Sequence, residues 1–200
     1  MSSNNSIKII PEIAEKRITL RRLRFSDSKD IYHNIKDREV VKWTLNIPHP
    51  YSRNEAIKFI RKVNYEARKK KSCVFGIALK DESRIIGIIG LSKINYKDSN
   101  AEIGYWLGKK YWGKGIMTEA VKLILELGFK QLKLHKINAG LFEKNIASKK
   151  VLEKAGFRFE GKIRESRFRS GGWHDELRYG ILYSEYKNKR VAQEWLFCRD

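Results

Sequence analysis

Acidic residues are scarce in this 200-residue chain: 23 Asp and Glu face 43 Lys and Arg, for a formal charge of +20 at pH 7. Such a field attracts polyanions, be they nucleic acid, the ribosome or a phosphorylated cofactor, and repels free polycations at long range. The basic residues are spread along the whole length rather than massed in a tail, so a solvated lysine-rich surface competes with a nucleic-acid footprint. Cysteine is nearly absent. Cys73 and Cys198 lie in dissimilar surroundings with no export signal before them, so two reduced thiols and a cytoplasmic setting are expected. No apolar run approaches the roughly 18 residues that a spanning helix needs, and no membrane partner is expected. Met1-Ser-Ser-Asn-Asn-Ser6 has neither the basic start nor the apolar centre of a signal peptide and reads as a frayed tail. His33, His49, His135 and His174 have no metal-ligand spacing, so no metal is expected. Linkers, repeats and low-complexity tracts are missing too. The expected organisation is a flexible N-terminal tail over residues 1–12 and one domain over residues 13–200.

Within that domain, 42% hydrophobic residues are enough for a core. Arg17 to Leu23 alternates and predicts a first strand. Ser26 is placed to cap a short helix carrying Ile31 and Ile35. Ser52 with Glu55 makes a capping-box pattern ahead of a helix whose Ala56, Phe59, Ile60, Val63 and Ala67 share a face; Lys69-Lys-Lys71 suits its C-terminus. Cys73 to Leu79 and Ile85 to Ile94 predict strands about a turn at Asp81 to Arg84, and Ala101 to Leu107 predicts another. Ile116 to Phe129 carries a helical apolar stripe with Gly128 as its stop. A strand over Lys133 to Phe142 follows. Asn145 then caps a helix that buries Ala147, Val151, Leu152 and Ala155 and ends at Gly156. Phe157 to Arg169 and Trp173 to Tyr183 predict a hairpin turning at Ser170-Gly-Gly172, before a polar helical tail. This order predicts an α/β (α+β) domain: a mixed central sheet with helices on both faces and a parallel crossover in the second half.

Gly104 to Val121 joins an aromatic strand to the helix from Ile116 through a loop rich in glycine and lysine. Such a join forms an anion cradle. The N–H groups and the positive end of the helix dipole face outward, and glycines let phosphate oxygens come close. Two look-alikes fail on single residues. A triphosphate loop, G-x-x-x-x-G-K-[ST], matches at Gly108, Gly113 and Lys114, but Gly115 stands where a hydroxyl must ligate Mg²⁺. A dinucleotide loop, G-x-G-x-x-G, matches at Gly113 and Gly115, but Thr118 replaces the glycine that allows close helix–strand packing. A tight strand–helix turn without a ligand is the bland alternative.

Lys110-Tyr-Trp-Gly-Lys-Gly115 resembles the [Gln/Arg]-x-x-Gly-x-[Gly/Ala] loop of the GNAT acetyltransferases, with Lys110 at the Gln/Arg position. Asn145-Ile-Ala-Ser148, followed by Val151-Leu-Glu-Lys-Ala-Gly-Phe157, resembles the family's second signature. Ala101 to Leu107 resembles the strand that leads into the loop. Thr19 to Arg24, Phe157-Arg-Phe-Glu-Gly161 and Gly172-Trp-His-Asp175 resemble the RimJ/RimL-like branch. The resemblance spans residues 16 to 185 and implies a GNAT fold, acetyl-CoA as co-substrate and direct attack of a primary amine on the thioester. It implies that Glu102 to Leu107 pairs with the pantetheine arm, with a bulge near Trp106-Leu107 opening the edge. The N–H of Trp106 or Leu107 would polarise the thioester carbonyl. The diphosphate would rest on the N–H groups of Gly113, Lys114, Gly115, Ile116 and Met117, with Lys110 and Lys114 as point charges.

Many family members carry a tyrosine acid seven residues after the motif asparagine, but here that position is Leu152, which cannot donate a proton. The RimL-like branch uses the serine found here as Ser148; a helix hydroxyl bonding backbone is the alternative. Asn145 is a helix cap, a ligand of the cofactor arm, or both. The base is Glu160, at the branch's position, or Glu102, or a water chain. Cys73 reads as core rather than as an acyl nucleophile, and Trp43, Trp106, Trp112 and Trp173 wall a cleft or pack the core. The expected acceptor is a protein N-terminal α-amino group of the ribosomal-protein type, with ribosome or RNA docking through the basic surface. Polyamine or aminoglycoside acetylation, a non-catalytic acyl-CoA sensor and a basic RNA-binding module are the rivals. Monomer and homodimer are both open.

Overall fold

A computed structural model describes residues 12–188 apart from 16, 45, 46, 49, 81 and 170. Met1 to Ser6, expected from the sequence to be a frayed tail, lie outside the described residues, as do His49, Cys198 and the end of the polar tail. The first half of the sheet is an antiparallel meander. β1 (Glu12–Ala14), β2 (Ile18–Arg21), β3 (Cys73–Leu79), β4 (Ile85–Asn95) and β5 (Asn100–Leu107) pair in chain order, each antiparallel to the one before. The alternation of Ile18, Leu20, Phe75, Ile77, Ile89 and Leu91 puts these side chains on a shared buried face. β1 has three residues and no apolar pattern of its own; it exists by pairing Ile13 with Leu20.

Three helices link β2 to β3: α1 (Ser28–Ile35), α2 (Arg38–Val41) and α3 (Arg53–Arg68). Ser26 does not cap α1. A 3₁₀ turn over Phe25–Asp27 comes first, and Asp27 is engaged with the Arg24 N–H at 2.7 Å and with the Arg21 guanidinium. α2, which the sequence did not announce, is a short piece capped by Asp37, whose Oδ1 accepts the Glu39 N–H. At α3 the Ser52 hydroxyl accepts the Glu55 N–H as expected, but the reciprocal half of the box is not made: the Glu55 carboxylate meets Lys58 at 2.8 Å. Ala56, Ile60 and Val63 of α3 pack with Ile31 over Ala78, Ile85 and Ile88 on one sheet face.

The second half covers the other face. α4 (Ile116–Glu126) precedes β6 (Lys136–Phe142), which lies parallel to β5; α5 (Ile146–Ala155) then leads to the hairpin of β7 (Arg158–Arg169) and β8 (Gly172–Leu182). The sheet order is β1-β2-β3-β4-β5-β6-β8-β7, with β8 antiparallel to both its neighbours. Gly128 is not a stop. The helix widens into a π turn over Leu127–Gln131, and Gly128 is buried where an added Cβ would meet Ile137 Cδ1 at 2.7 Å, so close packing explains the glycine. Gly156 does end α5, at φ +106°. Ala147 is exposed, because α5 turns its first residues outward and buries only Leu152 and Ala155. Residues 183–188 are helical.

One departure from regular pairing matters most. β5 and β6 hold together only from Asn100↔Lys136 to Ile103↔Ala139. β5 continues to Leu107 on the β4 side, and β6 continues to Phe142 on the β8 side, so the two strands part in the middle of the sheet.

Candidate functional site

The parting exposes a strand edge inside the domain, and its polarity follows from register. Gly108 donates its N–H to Ile86 O at 2.9 Å, and the pairs Ile88↔Trp106 and Gly87↔Leu107 continue that ladder. Antiparallel pairs alternate between bonded and non-bonded. Trp106 is therefore engaged with Ile88, while the backbone groups of Tyr105 and Leu107 point away from β4 into the gap. The Leu107 carbonyl already accepts the Trp112 indole N–H at 2.7 Å, which leaves its N–H facing the opening. The β4–β5 ladder has no bulge at Trp106-Leu107. The register is continuous from Gly87↔Leu107 to Ser92↔Glu102 and shifts only between Ser92 and Asn95, so divergence of β5 from β6 opens the edge.

The loop beyond β5 runs through a 3₁₀ turn at Lys109–Tyr111 to Gly113 and Gly115, at φ +74° and +75°. Only glycine adopts that region without strain. Gly115 is the N-cap of α4 with no side-chain cap, so the first N–H groups of α4 face outward. An added Cβ at Gly113 would meet nothing within 4 Å. Ile116 and Met117 bury their side chains and contribute backbone alone. Lys110 and Lys114 place their ammonium groups 5.0 and 6.0 Å from the Tyr111 ring. Arg17 is the loop partner that sequence reasoning missed. It donates to Lys114 O at 3.1 Å and holds Glu119 of α4 at 2.7 Å, across 97 residues of chain, so no local signal marked it.

Over the gap, on the α4/α5 face, Ser148 sits in the first turn of α5. Asn145 caps that turn, its Oδ1 accepting the Ser148 N–H at 3.1 Å. The Tyr105 phenol lies 2.8 Å from Ser148 Oγ, and burial raises the phenol above its ordinary range despite that hydrogen bond. Leu152 is buried one turn on.

The carboxylates lie on the opposite face. Glu102 pairs with Asn138 in the closed part of β5–β6 and meets Lys93 at 2.7 Å. Glu160 occupies a bulge between Phe159 and Gly161, packs over Gly180 and meets Lys136 at 2.8 Å. Glu176 of β8, which no sequence signal marked, is 1% exposed. Its Oε2 accepts from Arg167 Nε at 2.8 Å and Ser166 Oγ at 3.1 Å; Oε1 lies 2.9 Å from Arg178 without hydrogen-bond geometry and faces Gly140. Lys162 bridges Asp175 at 2.9 Å and Glu143 at 3.2 Å in phase with Leu177, on the α4/α5 side, whereas Glu102, Glu160 and Glu176 share the α1/α3 face.

On this same face a cavity of about 260 Å³ lies between α1, α3 and β5, walled by Ile31, Ile35, Tyr51, Phe59 and Trp106, with Glu55 at its edge. Burial, then Glu55, pushes the Tyr51 phenol up to about 12. The four tryptophans do not share one cleft: Trp43 lies under Lys42 Nζ at 4.9 Å, Trp106 lines the cavity, Trp112 donates to the Leu107 carbonyl, and Trp173 meets Phe168 edge-on at the exposed hairpin. His174 packs edge-on to Phe142 and contacts Arg169 O at 3.0 Å. Cys73 is half-buried on β3, and burial pushes its thiol up to about 11. Among the described residues no cluster suits a metal ion, and no helix is long and apolar enough to cross a membrane.

Residues 17–158 match the family model described as "Acetyltransferase (GNAT) domain". The chain is 33% identical to the uncharacterized N-acetyltransferase YnaD of Bacillus subtilis, over 87% of this chain and 98% of that protein. It is 32% identical to the uncharacterized N-acetyltransferase p20 of Bacillus licheniformis, over 86% and 96%. A GNAT-family acetyltransferase structure from Bacillus anthracis superposes with a TM-score of 0.76 at 29% identity, over 87% of this chain and 99% of that one. Two relatives are named for substrates. YdaF of B. subtilis, named as a candidate ribosomal N-acetyltransferase, is 28% identical over 88% and 96%; the spermidine N(1)-acetyltransferase of Vibrio cholerae is 27% identical over 86% and 97%.

Proposed function

The chain belongs to the GNAT family and is an acetyl-CoA-dependent N-acetyltransferase, and from that membership we propose that it acetylates a protein or peptide N-terminal α-amino group by direct attack in a ternary complex. The observation that carries the acceptor is charge pairing on the open sheet face. Glu102 has Lys93, Glu160 has Lys136, and Glu176 has Arg167 and Arg178. A polyamine or aminoglycoside brings several ammonium groups and is held by unpaired carboxylates; here each of these carboxylates has its own cation, and the +20 charge adds long-range repulsion. A peptide N-terminus brings one amine and a side chain, for which the aromatic cavity beside Trp106 offers apolar walls. A ribosomal acceptor gains further from the basic surface, which favours docking on RNA, and the likeness to YdaF supports it.

The residues fit the CoA arm and its diphosphate: a strand edge with free backbone groups, then glycines that leave the α4 N-terminus open. Acetyl-CoA supplies an activated acyl carbon and a thiolate leaving group. In this reading the Leu107 N–H receives the carbonyl oxygen as its charge develops. The N–H groups from Gly113 to Met117 hold the diphosphate, with Lys110 and Lys114 as point charges and Asn145 ordering the turn beside the arm. Ser148 gives a proton to sulfur as the C–S bond breaks. Glu160 or Glu102 takes the amine proton through water, since each carboxylate is tied to a lysine. Acid and base then lie on opposite sheet faces, so the amine enters on one side and the thiol leaves on the other.

Release of CoA thiol from acetyl-CoA, measured with N-terminal peptides, spermidine and an aminoglycoside, tests the acceptor. Faster release with peptides is the expected result. Release with spermidine alone overturns the acceptor assignment in favour of the polyamine reading that the V. cholerae relative's name supports.

A further inference from the structure

Tyr105 has no task in the reading above beyond its backbone. Its side chain leaves β5 toward α5, and its phenolic oxygen lies 2.8 Å from Ser148 Oγ and 3.4 Å from Ser148 O. A buried hydroxyl proton needs an acceptor. Among the described residues, those two oxygens of one serine are the acceptors within its reach. A phenol is a far stronger acid than an aliphatic alcohol and the poorer acceptor, so the proton of this bond belongs to Tyr105. That leaves Ser148 accepting through Oγ, with its backbone N–H already engaged by Asn145 Oδ1. The serine's own O–H is then turned away from the core. Ser148 is half-exposed, so the direction left to that proton is the gap.

We infer that Tyr105 is a positioning residue for acyl transfer: its phenol fixes the Ser148 hydroxyl so that Ser148 presents its proton to the departing sulfur. This rests on the reading of Ser148 as the proton donor. The step balances. The amine nitrogen bonds to the acyl carbon, the thioester C–S bond breaks, sulfur keeps the electron pair, the Ser148 proton moves to sulfur, and the proton lost by the amine returns to Ser148 through its base and solvent. Tyr105 does not relay its own proton, because its buried surroundings disfavour a tyrosinate. It acts by orientation, which sets the proton's direction without a change in its own charge.

Tyr105→Phe keeps the ring and removes the hydroxyl. With acetyl-CoA and an N-terminal peptide, kcat should fall about tenfold, a part of what a general acid contributes, while KM for acetyl-CoA stays within about twofold. In a Ser148→Ala background the same change should have no further effect, which a merely structural tyrosine would not obey. If Ser148→Ala is as fast as the parent, the donor reading fails and takes this role with it. If Ser148→Ala is slow but Tyr105→Phe is not, or if the two losses multiply, the positioning role alone is overturned. A readout free of any acceptor is the tyrosine Fermi doublet in the Raman difference spectrum of parent minus Tyr105→Phe. It should report a donating phenol; an accepting phenol overturns the role.

Discussion

Replacing Gly115 with alanine separates the loop's conformation from its ligand. Gly115 holds φ +75° and ψ −1° at the N-cap of α4, and an added Cβ would touch only the Arg17 guanidinium, at 3.6 Å. Space is therefore available and backbone strain remains. Holding alanine left-handed costs about 1–2 kcal/mol, offset by about 0.4–1 kcal/mol from the lower entropy of the unfolded chain. The net loss of about 1 kcal/mol lowers Tm by roughly 2–4 °C for a domain of this size. Affinity for CoA should suffer more. The N–H groups from Gly113 to Met117 must converge on the same oxygens, and a hydrogen bond to a charged group contributes about 1.5–3 kcal/mol. Tilting the peptide before Gly115 forfeits at least one, so Kd should rise roughly ten- to a hundredfold. Thermal melts without ligand and calorimetric titration with CoA read the two effects apart. Gly113→Ala, at φ +74° with open space around it, should behave alike. A Tm drop of the stated size with Kd unchanged would refute the diphosphate cradle.

Three further outcomes are expected. Glu176→Gln leaves Arg167 and Arg178 facing each other; breaking a buried pair costs about 3–5 kcal/mol, and the partial exposure of both guanidiniums reduces this to about 2–3 kcal/mol. Tm should fall by roughly 5–10 °C, and a drop within the scatter of a melt would show that the two arginines find other partners. In a Cys198→Ser protein, Cys73 should react slowly with a disulfide reagent near pH 8, because a thiol pushed up to about 11 is thiolate in roughly one molecule per thousand there. Fast labelling of the native protein would contradict its burial. The Asp175 carboxyl is held below its ordinary 3.8, first by the Glu165 N–H and then by Lys162. A depressed carboxyl stabilises above the unfolded value and loses that contribution as pH falls through the folded one. Asp175→Asn should thus be less stable than the parent near pH 5, and the gap should narrow as pH falls below 3.8; a difference that stays constant down to acid unfolding would remove the linkage.

Most of the elements were legible because their signals are local. The stripe Ala56, Ile60, Val63 and the stripe Ile116, Ala120, Ile124 each lie within one helix, and the caps at Ser52 and Asn145 act three residues along. The family motifs are local too, which is why the loop and the α5 signature could be paired on the page. What escaped was set at a distance. Gly128 carries the sequence mark of a helix end, but Ile137 and Leu91 decide its role from other strands. Tyr105 and Ser148 are 43 residues apart, and neither has a neighbour that announces the other. Glu176 was not marked at all: it alternates with the core residues Leu177 and Tyr179, and its burial comes from Arg167 on β7 and Arg178 two residues on. The strand parting was expected at the right place for the wrong reason: a bulge is a property of one strand, whereas the divergence belongs to β5 and β6 together.

The chemistry of the exposed edge follows from that divergence and from one indole. A free strand edge presents N–H and C=O groups alike and invites another strand. Tyr105 keeps both of its groups toward the gap. Leu107 keeps only the N–H free of partners, because Trp112 donates to its carbonyl at 2.7 Å. An incoming chain can therefore pair with Tyr105 through both groups, and at Leu107 it meets a free N–H beside a carbonyl that already accepts one hydrogen bond. A peptide-like arm terminating in a carbonyl would suit that pattern, as the proposed acyl-CoA arm requires. Trp112 also lies one residue before Gly113. The same side chain that engages the Leu107 carbonyl thus ties the edge to the turn that opens α4, and the distance from carbonyl donor to anion cradle is set by a hydrogen bond rather than left to a loose loop.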